Sequence, residues 1–95
     1  MSPGRQVYWR KQAINDLATI SAYIAAHSPA SAARLIDAII AQVELLTTYP
    51  QMGRIGRRAG MRELVVHTHY LVIYRVLPDA INIQRVKHVA RKGLP

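Results

Sequence analysis

The spacing of apolar residues changes once along this 95-residue chain, and this change limits the folds available to it. Between residues 10 and 27 the apolar side chains recur at helical spacing, on a stripe formed by Ala13, Leu17, Ile20 and Ile24. After residue 60 they instead form short runs rich in Val, Ile and Tyr, which are typical of β-strands. Helices followed by strands in one short chain predict an α+β domain.

A second helix is predicted to begin at Ser28 and Pro29. Serine is a preferred residue just before the first helical turn, and proline suits the first position inside it. Helical spacing then continues as far as Tyr49 and Pro50, along a stripe formed by Ile36, Ile39, Ile40, Val43 and Leu46. Because only a few residues separate the two helical patterns, we expect an antiparallel helical hairpin.

Four segments have the composition of β-strands: residues 6–9, 61–67, 70–77 and 81–88. The segment 70–77 is apolar at nearly every position, which predicts a central strand covered on both faces. Pro78 and Asp79 predict a tight turn that joins it to the last strand as a hairpin. In that last strand, alternation places four side chains on one face: Ile81, Ile83, Arg85 and Lys87.

These elements predict a single domain over residues 1–95, because the chain is too short for two independent cores. A short N-terminal strand is followed by the two-helix antiparallel hairpin and then by a three-stranded antiparallel meander that completes one sheet. We expect this sheet to be antiparallel and both helices to pack on one of its faces.

The chain is strongly basic, with thirteen Lys and Arg against five Asp and Glu and a formal net charge of +8. This balance favours contact with nucleic acid, an anionic surface or an acidic protein. Residues 51–60 form a predicted basic loop with three glycines and three arginines, Arg54, Arg57 and Arg58. No uninterrupted apolar run reaches the length of about 18 residues that indicates a membrane span, and the first residues lack the apolar run of a secretory signal. We therefore expect a cytoplasmic protein that does not act at a membrane.

Several side chains have the chemistry of a phosphate-binding site, because arginine can contact phosphate with two hydrogen bonds and histidine can exchange a proton near neutral pH. The candidates are Arg62, Arg75, Arg85, Lys87 and His88. For His88, a structural role with a hydrogen bond to the backbone explains the residue equally well. His67 and His69 flank a predicted turn without a third ligand nearby, so we expect neither a metal site nor a cofactor.

Short motifs in a fixed order along the chain resemble those of the ParE/RelE toxin superfamily over nearly its whole length. The first lies on the first predicted helix, the second spans the end of the second helix and the basic loop, and the others lie on the strands. They are Ala13, Asp16-Leu17, Ile20 and Tyr23-Ile24; Leu46, Tyr49-Pro50 and Gly53-Arg54; Arg62-Glu63-Leu64; Tyr70 and Tyr74-Arg75-Val76; and Arg85-Val86-Lys87-His88-Val89-Ala90-Arg91. The resemblance implies the toxin of a bacterial type II toxin–antitoxin system, held in a hetero-oligomer by a ParD-like antitoxin with an acidic tail.

The superfamily implies two alternative activities. ParE-like members are associated with poisoning of DNA gyrase, which requires a binding surface, whereas RelE-like members cut mRNA on the ribosome, which requires a proton donor, a proton acceptor and cations. The ending His88-Val89-Ala90-Arg91 is similar to the ParE pattern, and no tyrosine follows Tyr74, while RelE-like chains tend to end with a catalytic tyrosine. The resemblance therefore favours a gyrase poison that is not an enzyme, with ribosome-dependent mRNA cleavage as the alternative.

The two activities imply different site residues. A gyrase poison would bind its target or antitoxin through Arg54, Arg57, Arg58, Arg62, His88 and Arg91. A ribonuclease would use Arg62, Arg75, Arg85, Lys87 and His88. A third interpretation, a non-toxic nucleic-acid-binding module, rests on charge alone, because neither predicted helix has the basic character of a recognition helix.

Overall fold

The order of helices and strands follows the change in apolar spacing. A computed structural model describes residues 4–67 and 69–89. The elements are β1 (Gln6–Trp9), α1 (Lys11–Ala25), α2 (Pro29–Glu44), a 3-10 helix (Leu45–Thr47), β2 (Arg54–Ile55), β3 (Arg62–Val66), β4 (Tyr70–Leu77) and β5 (Ala80–His88). The α+β architecture with a helical hairpin is confirmed, and β2 is an additional strand inside the predicted basic loop.

The start of the second helix lies where the sequence predicts it. The Ser28 hydroxyl oxygen accepts a hydrogen bond from the Ser31 amide at 3.2 Å, and Pro29 is the first residue of α2. The predicted N-cap is therefore confirmed. At the other end, α2 stops at Glu44 and the 3-10 helix continues only to Thr47, so the helical region ends before the tyrosine-proline pair that was expected to close it.

The Ser28 cap leads to a prediction for stability. Ser28→Ala removes the acceptor for one amide at the N-terminus of α2, and the loss of such a cap costs about 1 kcal/mol. We expect urea titrations followed by circular dichroism to show this decrease in the free energy of unfolding, with an unchanged slope. Ser28→Asp keeps an acceptor oxygen and should remain within about 0.5 kcal/mol of the parent. An equal loss in both variants would mean that the hydroxyl does not act as a cap.

The sheet has the strand order β1-β5-β4-β3-β2, and its strand directions are mixed. β1 runs parallel to β5, whereas the other three pairs are antiparallel, so the expectation of a fully antiparallel sheet is wrong. The reason is that the helical region ends beside the start of β1, where a Cβ added to Gly4 would lie 3.3 Å from the Thr47 carbonyl oxygen. The antiparallel strands β3, β4 and β5 then leave the last of them running in the direction of β1.

A β-bulge interrupts the pairing of β4 with β5. Tyr74 pairs with Ile83, and the preceding residue Ile73 pairs with Arg85, so Gln84 is an extra residue with no opposite partner in β4. Because side chains alternate with a period of two, one inserted residue exchanges the faces of all the residues that follow it.

The bulge corrects one prediction about β5. Ile81 and Ile83 are fully buried against the helices, but beyond the bulge the buried position passes to Val86. Arg85 and Lys87 lie on the opposite face, across from Ile73 and Leu71 of β4. The expectation that these two basic residues share a face with Ile81 and Ile83 is therefore wrong, although the two basic residues do share a face with each other.

The hydrophobic core lies between the helical hairpin and one face of the sheet. Its buried members come from both helices, the 3-10 helix and strands β3 to β5: Ala13, Leu35, Ile39, Val43, Leu46, Leu64, Val66, Tyr70, Val72, Tyr74, Ile81, Ile83 and Val86. Trp9 is partly buried and packs against this cluster.

β4 is the central strand of the sheet, as predicted, but its two faces are not equally covered. Val72 and Tyr74 are fully buried toward the helices. On the other face, Leu71 is buried, Ile73 is half-buried and Arg75 is exposed. Coverage on both faces is thus confirmed only in part. We call this second face of the sheet, turned away from both helices, the open face.

Candidate functional site

The basic loop is attached to the sheet through one buried tyrosine. The Tyr74 hydroxyl donates a hydrogen bond to the Pro50 carbonyl at 2.8 Å and accepts one from the Gly53 amide at 2.9 Å. The Arg62 guanidinium adds a 2.7 Å hydrogen bond to the Gly53 carbonyl. Burial raises the pKa of Tyr74, against smaller opposing effects of the Gly53 hydrogen bond and the Arg62 charge, so the hydroxyl keeps the proton it donates. These contacts fix the start of the loop.

A buried carboxylate positions the arginines of the loop. Glu63 lies on the open face of β3 with only 7% of its side chain exposed, and its oxygens lie 3.3 Å from Arg54 Nη2 and 4.0 Å from Arg57 Nε. The Arg57 amide also donates to it at 3.4 Å. The two arginine side chains are about two-thirds exposed, at 66% and 64%. Glu63 therefore anchors them on one side while their other N–H groups remain available to a partner.

A second carboxylate closes the edge of the sheet. Among the residues that the structure describes, β5 has no neighbouring strand on that side beyond Trp9, and Asp16 of α1 accepts a hydrogen bond from the Val86 amide at 2.9 Å. The Arg85 guanidinium donates to both oxygens of Asp16, at 2.8 and 3.0 Å. Burial alone would raise the pKa of Asp16, but the hydrogen bonds from Arg85 and Val86 hold the pKa below its ordinary value. Arg85 is thus held by a structural contact.

The Asp16 contact predicts a dependence of stability on pH. Because its pKa is lowered in the folded state, Asp16 stabilises the fold above its unfolded pKa of about 3.9, and this contribution is lost as pH falls through the folded-state pKa. We expect Asp16→Asn to unfold at lower urea concentration than the parent near pH 7, and this difference to shrink below about pH 4. Asp37→Asn, at an exposed position of α2, controls for the loss of one carboxylate. A difference that persists unchanged at about pH 3 would contradict this assignment.

The structure separates the candidate nuclease residues onto two faces. Arg75, Arg85 and Lys87 lie on the open face, whereas the pairing of β4 with its neighbours places Arg62 and His88 on the side of the helices. The His88 ring lies edge-on to Tyr70, with centroids 4.8 Å apart, and is stacked with His69 at 6.1 Å. The five residues therefore do not converge on one point.

The candidate binding residues are distributed in a similar way. Arg54 and Arg57 are the two arginines that Glu63 anchors, and Arg58 is exposed next to them. Arg62 donates its hydrogen bond inward to the loop backbone. Arg91 lies outside the described residues.

Sequence reasoning missed an apolar depression beside the basic loop. It is lined by residues 48–52, and its most exposed large side chain is Tyr49, with 61% of its surface accessible. Leu45, Met52 and Ile55 are also exposed in this part of the chain. The one feature of the sequence that could have indicated this depression is that the apolar residues after Leu46 no longer follow the helical stripe of the second helix. The positions that anchor the arginines, Asp16 and Glu63, were likewise not predicted.

Two further observations limit the chemistry of the described chain. Within residues 4–67 and 69–89, no three His, Cys, Asp or Glu side chains come together in a group that could hold a metal ion. None of the helices in the same ranges is long and apolar enough to cross a bilayer.

The chain is similar to known toxins along nearly its whole length. The family model for the ParE toxin of the type II toxin–antitoxin system parDE matches residues 7–93. Toxin RelE2 of Caulobacter vibrioides is 37% identical over 86 residues, which cover 90% of this chain and 97% of the relative. Toxin RelE3 of the same organism is 36% identical over 80 residues, which cover 81% and 86%.

Solved structures share the fold. A chain of the chromosomal ParDE toxin–antitoxin system from P. aeruginosa superimposes with a TM-score of 0.80 at 26% identity, covering 93% of this chain and 99% of that chain. A chain of the RelBE2 toxin–antitoxin complex from Mycobacterium tuberculosis gives a TM-score of 0.60 at 24% identity, covering 92% and 99%. Since the family model matches 87 of the 95 residues, including both helices, the basic loop and all but the first residue of the sheet, the chain belongs to the ParE toxin family of type II toxin–antitoxin systems, within the ParE/RelE superfamily.

Proposed function

We propose that this toxin inhibits growth by binding and poisoning DNA gyrase, and that it does not cut RNA. The observation that carries the proposal is the division of the candidate nuclease residues between the two faces of the sheet. RNA cleavage through the ribose hydroxyl needs an acid, a base and a cation within hydrogen-bond reach of one phosphate. The register of the sheet places Arg75 and Lys87 on the open face and His88 on the helix side, and this separation supports a binding role over cleavage of RNA.

The engaged arginines support the same proposal. Arg85 makes two hydrogen bonds to Asp16, and Arg62 donates to the Gly53 carbonyl. A guanidinium committed to an internal carboxylate or carbonyl has fewer free N–H groups for a transferring phosphate. A poison needs only an exposed, rigid binding surface, and the anchored basic loop beside the apolar depression has these properties.

The alternative remains ribosome-dependent mRNA cleavage. It is favoured by the names of two relatives, the RelE2 and RelE3 toxins, which are 37% and 36% identical to this chain. Under this alternative the ribosome or the mRNA would have to supply some of the catalytic groups, because the candidate side chains in the described residues lie on two different faces of the sheet.

We further propose that a ParD-like antitoxin with an acidic tail holds the toxin inactive in a hetero-oligomer. The solved structures with this fold, from P. aeruginosa and Mycobacterium tuberculosis, come from toxin–antitoxin systems. The net charge of +8 attracts an anionic chain before contact. Charge would speed the encounter and make it sensitive to salt, while burial of exposed apolar side chains would slow dissociation. An acidic tail that folds on the toxin can cover a large surface.

Purified components test the proposed target. The toxin is incubated with gyrase, supercoiled plasmid and ATP, and the reaction is stopped with detergent and protease. We expect linear plasmid to accumulate with the toxin and to disappear when the antitoxin is added first. In parallel, the same preparation is added to ribosomes that hold a defined mRNA. Cleavage of this mRNA without any linear plasmid would reject gyrase and favour the ribonuclease alternative.

A further inference from the structure

The positive charge of the protein is concentrated in one part of the chain. Residues 11–53, which include both helices, contain two basic residues, Lys11 and Arg34, and three acidic residues. Residues 54–95, which contain strands β2 to β5, have nine basic and two acidic residues. The helical side of the protein is therefore slightly acidic, and the excess positive charge lies with the sheet and the basic loop.

Strand pairing brings much of this charge to the open face. One row of paired residues crosses four strands from Arg54 through Glu63 and Ile73 to Arg85. At about 4.8 Å per strand, the backbone positions at the two ends of this row lie roughly 14 Å apart. Lys87 and Arg75 flank the row on either side along the strands. Cations thus surround the centre of the open face.

The flanking cations are not used inside the protein. Arg75 and Lys87 are exposed, and within residues 4–67 and 69–89 neither side chain makes an ion pair. Exposed, unpaired cations keep all of their donors for a ligand. By contrast, Arg54 is held by Glu63 and the Arg85 guanidinium is held by Asp16 of α1, so Arg75 and Lys87 are the cations of this set with donors free for a ligand.

We propose that the open face binds the phosphate backbone of duplex DNA without reading its sequence. A duplex carries about one negative charge per 1.7 Å of its axis, so the roughly 14 Å of duplex beside the row carries about eight phosphates on its two strands together. The duplex is rigid before binding, whereas a disordered acidic peptide would lose conformational freedom when it is ordered on this face. Bound DNA would place the toxin beside the strands that gyrase cleaves, although the DNA contact itself does not depend on the proposed function.

The test measures binding of the toxin alone to a fluorescent duplex of random sequence, by anisotropy over a range of salt concentrations. The double variant Arg75→Gln/Lys87→Gln removes two exposed charges from the open face and should fold normally. Arg34→Glu on α2 changes the net charge by the same amount and serves as the control. We expect the double variant to lower the slope of log affinity against log salt by about two units, and the control to keep the parental slope.

Other outcomes would overturn the proposal. These are a parent protein that does not bind the duplex in a salt-dependent manner, a double variant with the parental slope, or an equal loss in the control. Tighter binding to a glutamate-rich peptide or to single-stranded RNA under the same conditions would assign the face to a different partner. If gyrase is not poisoned but duplex binding follows the expected pattern, only the proposed target is wrong.

Discussion

Val72→Asp is expected to leave the protein unfolded, whereas Val65→Asp is expected to fold. Val72 lies at the centre of β4 and is fully buried against the helices, so an aspartate there would place a carboxylate in the core without a partner. Such a substitution costs more than about 4 kcal/mol, which is comparable with the lower end of the total stability of small domains, about 5 kcal/mol. Val65, on the open face of β3, is 48% exposed, and the same change there should cost about 1 kcal/mol.

Thermal unfolding followed by circular dichroism distinguishes the two variants. The account predicts a cooperative transition for Val65→Asp and none for Val72→Asp. Both residues are valines in neighbouring strands, and both are changed to aspartate. Any difference in stability between the two variants therefore comes from the face of the sheet on which the residue lies. If both variants melted cooperatively at similar temperatures, the assignment of the core to the helix-facing side would be wrong.

Gly53→Ala is expected to destabilise the protein by about 2 to 4 kcal/mol and to release the basic loop. The Cβ of an alanine at this position would lie 2.6 Å from the Tyr74 hydroxyl oxygen and 2.8 Å from the Glu63 carbonyl oxygen. Neither can move freely, because Tyr74 is fully buried and the carbonyl belongs to the β3 backbone. The added methyl group must therefore break the hydrogen bond between Tyr74 and the Gly53 amide.

Two further variants examine this explanation. Tyr74→Phe removes the hydroxyl, so combining it with Gly53→Ala should cost less than the sum of the two single changes. Gly60→Asn serves as a second control, because a Cβ at Gly60 meets no atom within 4 Å and asparagine tolerates its φ of 78°. Urea titration gives the free energy of unfolding, and amide hydrogen exchange reports opening of the loop. Additive costs would show that Gly53 and Tyr74 do not act through their shared contact.

Local chemistry explains which features of the fold were predictable. The Ser28 cap, the Pro29 start and the helical stripes depend on neighbouring residues, and the sequence therefore predicts both helices to within a few residues. The apolar run of β4 likewise predicts a central strand. The parallel direction of β1 depends on a partner strand 74 positions away, as in the pair Gln6 and Ala80, and no local pattern specifies it. β2 is only two residues long, too short for a strand pattern to be visible in the sequence.

The candidate site was predictable in composition but not in arrangement. Residue type alone identified Arg75, Arg85 and Lys87 as possible phosphate ligands. The face on which Arg85 and Lys87 lie depends on one extra residue of β5, Gln84, which looks like any other polar strand position in the sequence. The contact of Asp16 with Arg85 could not be predicted, because the two residues lie 69 positions apart in the sequence. The contact of Glu63 with Arg54 could not be predicted either, because it depends on the pairing of β2 with β3.

The proposed function is that the toxin acts on gyrase through a binding surface and has no nuclease activity of its own. The most direct measurement is to induce the toxin alone in growing bacteria and to follow, in the same culture, covalent gyrase–DNA complexes and incorporation of labelled methionine. The account predicts that gyrase–DNA complexes rise first, with mRNA intact and protein synthesis falling only later. Early arrest of protein synthesis with cleaved mRNA and no increase in gyrase–DNA complexes would contradict it.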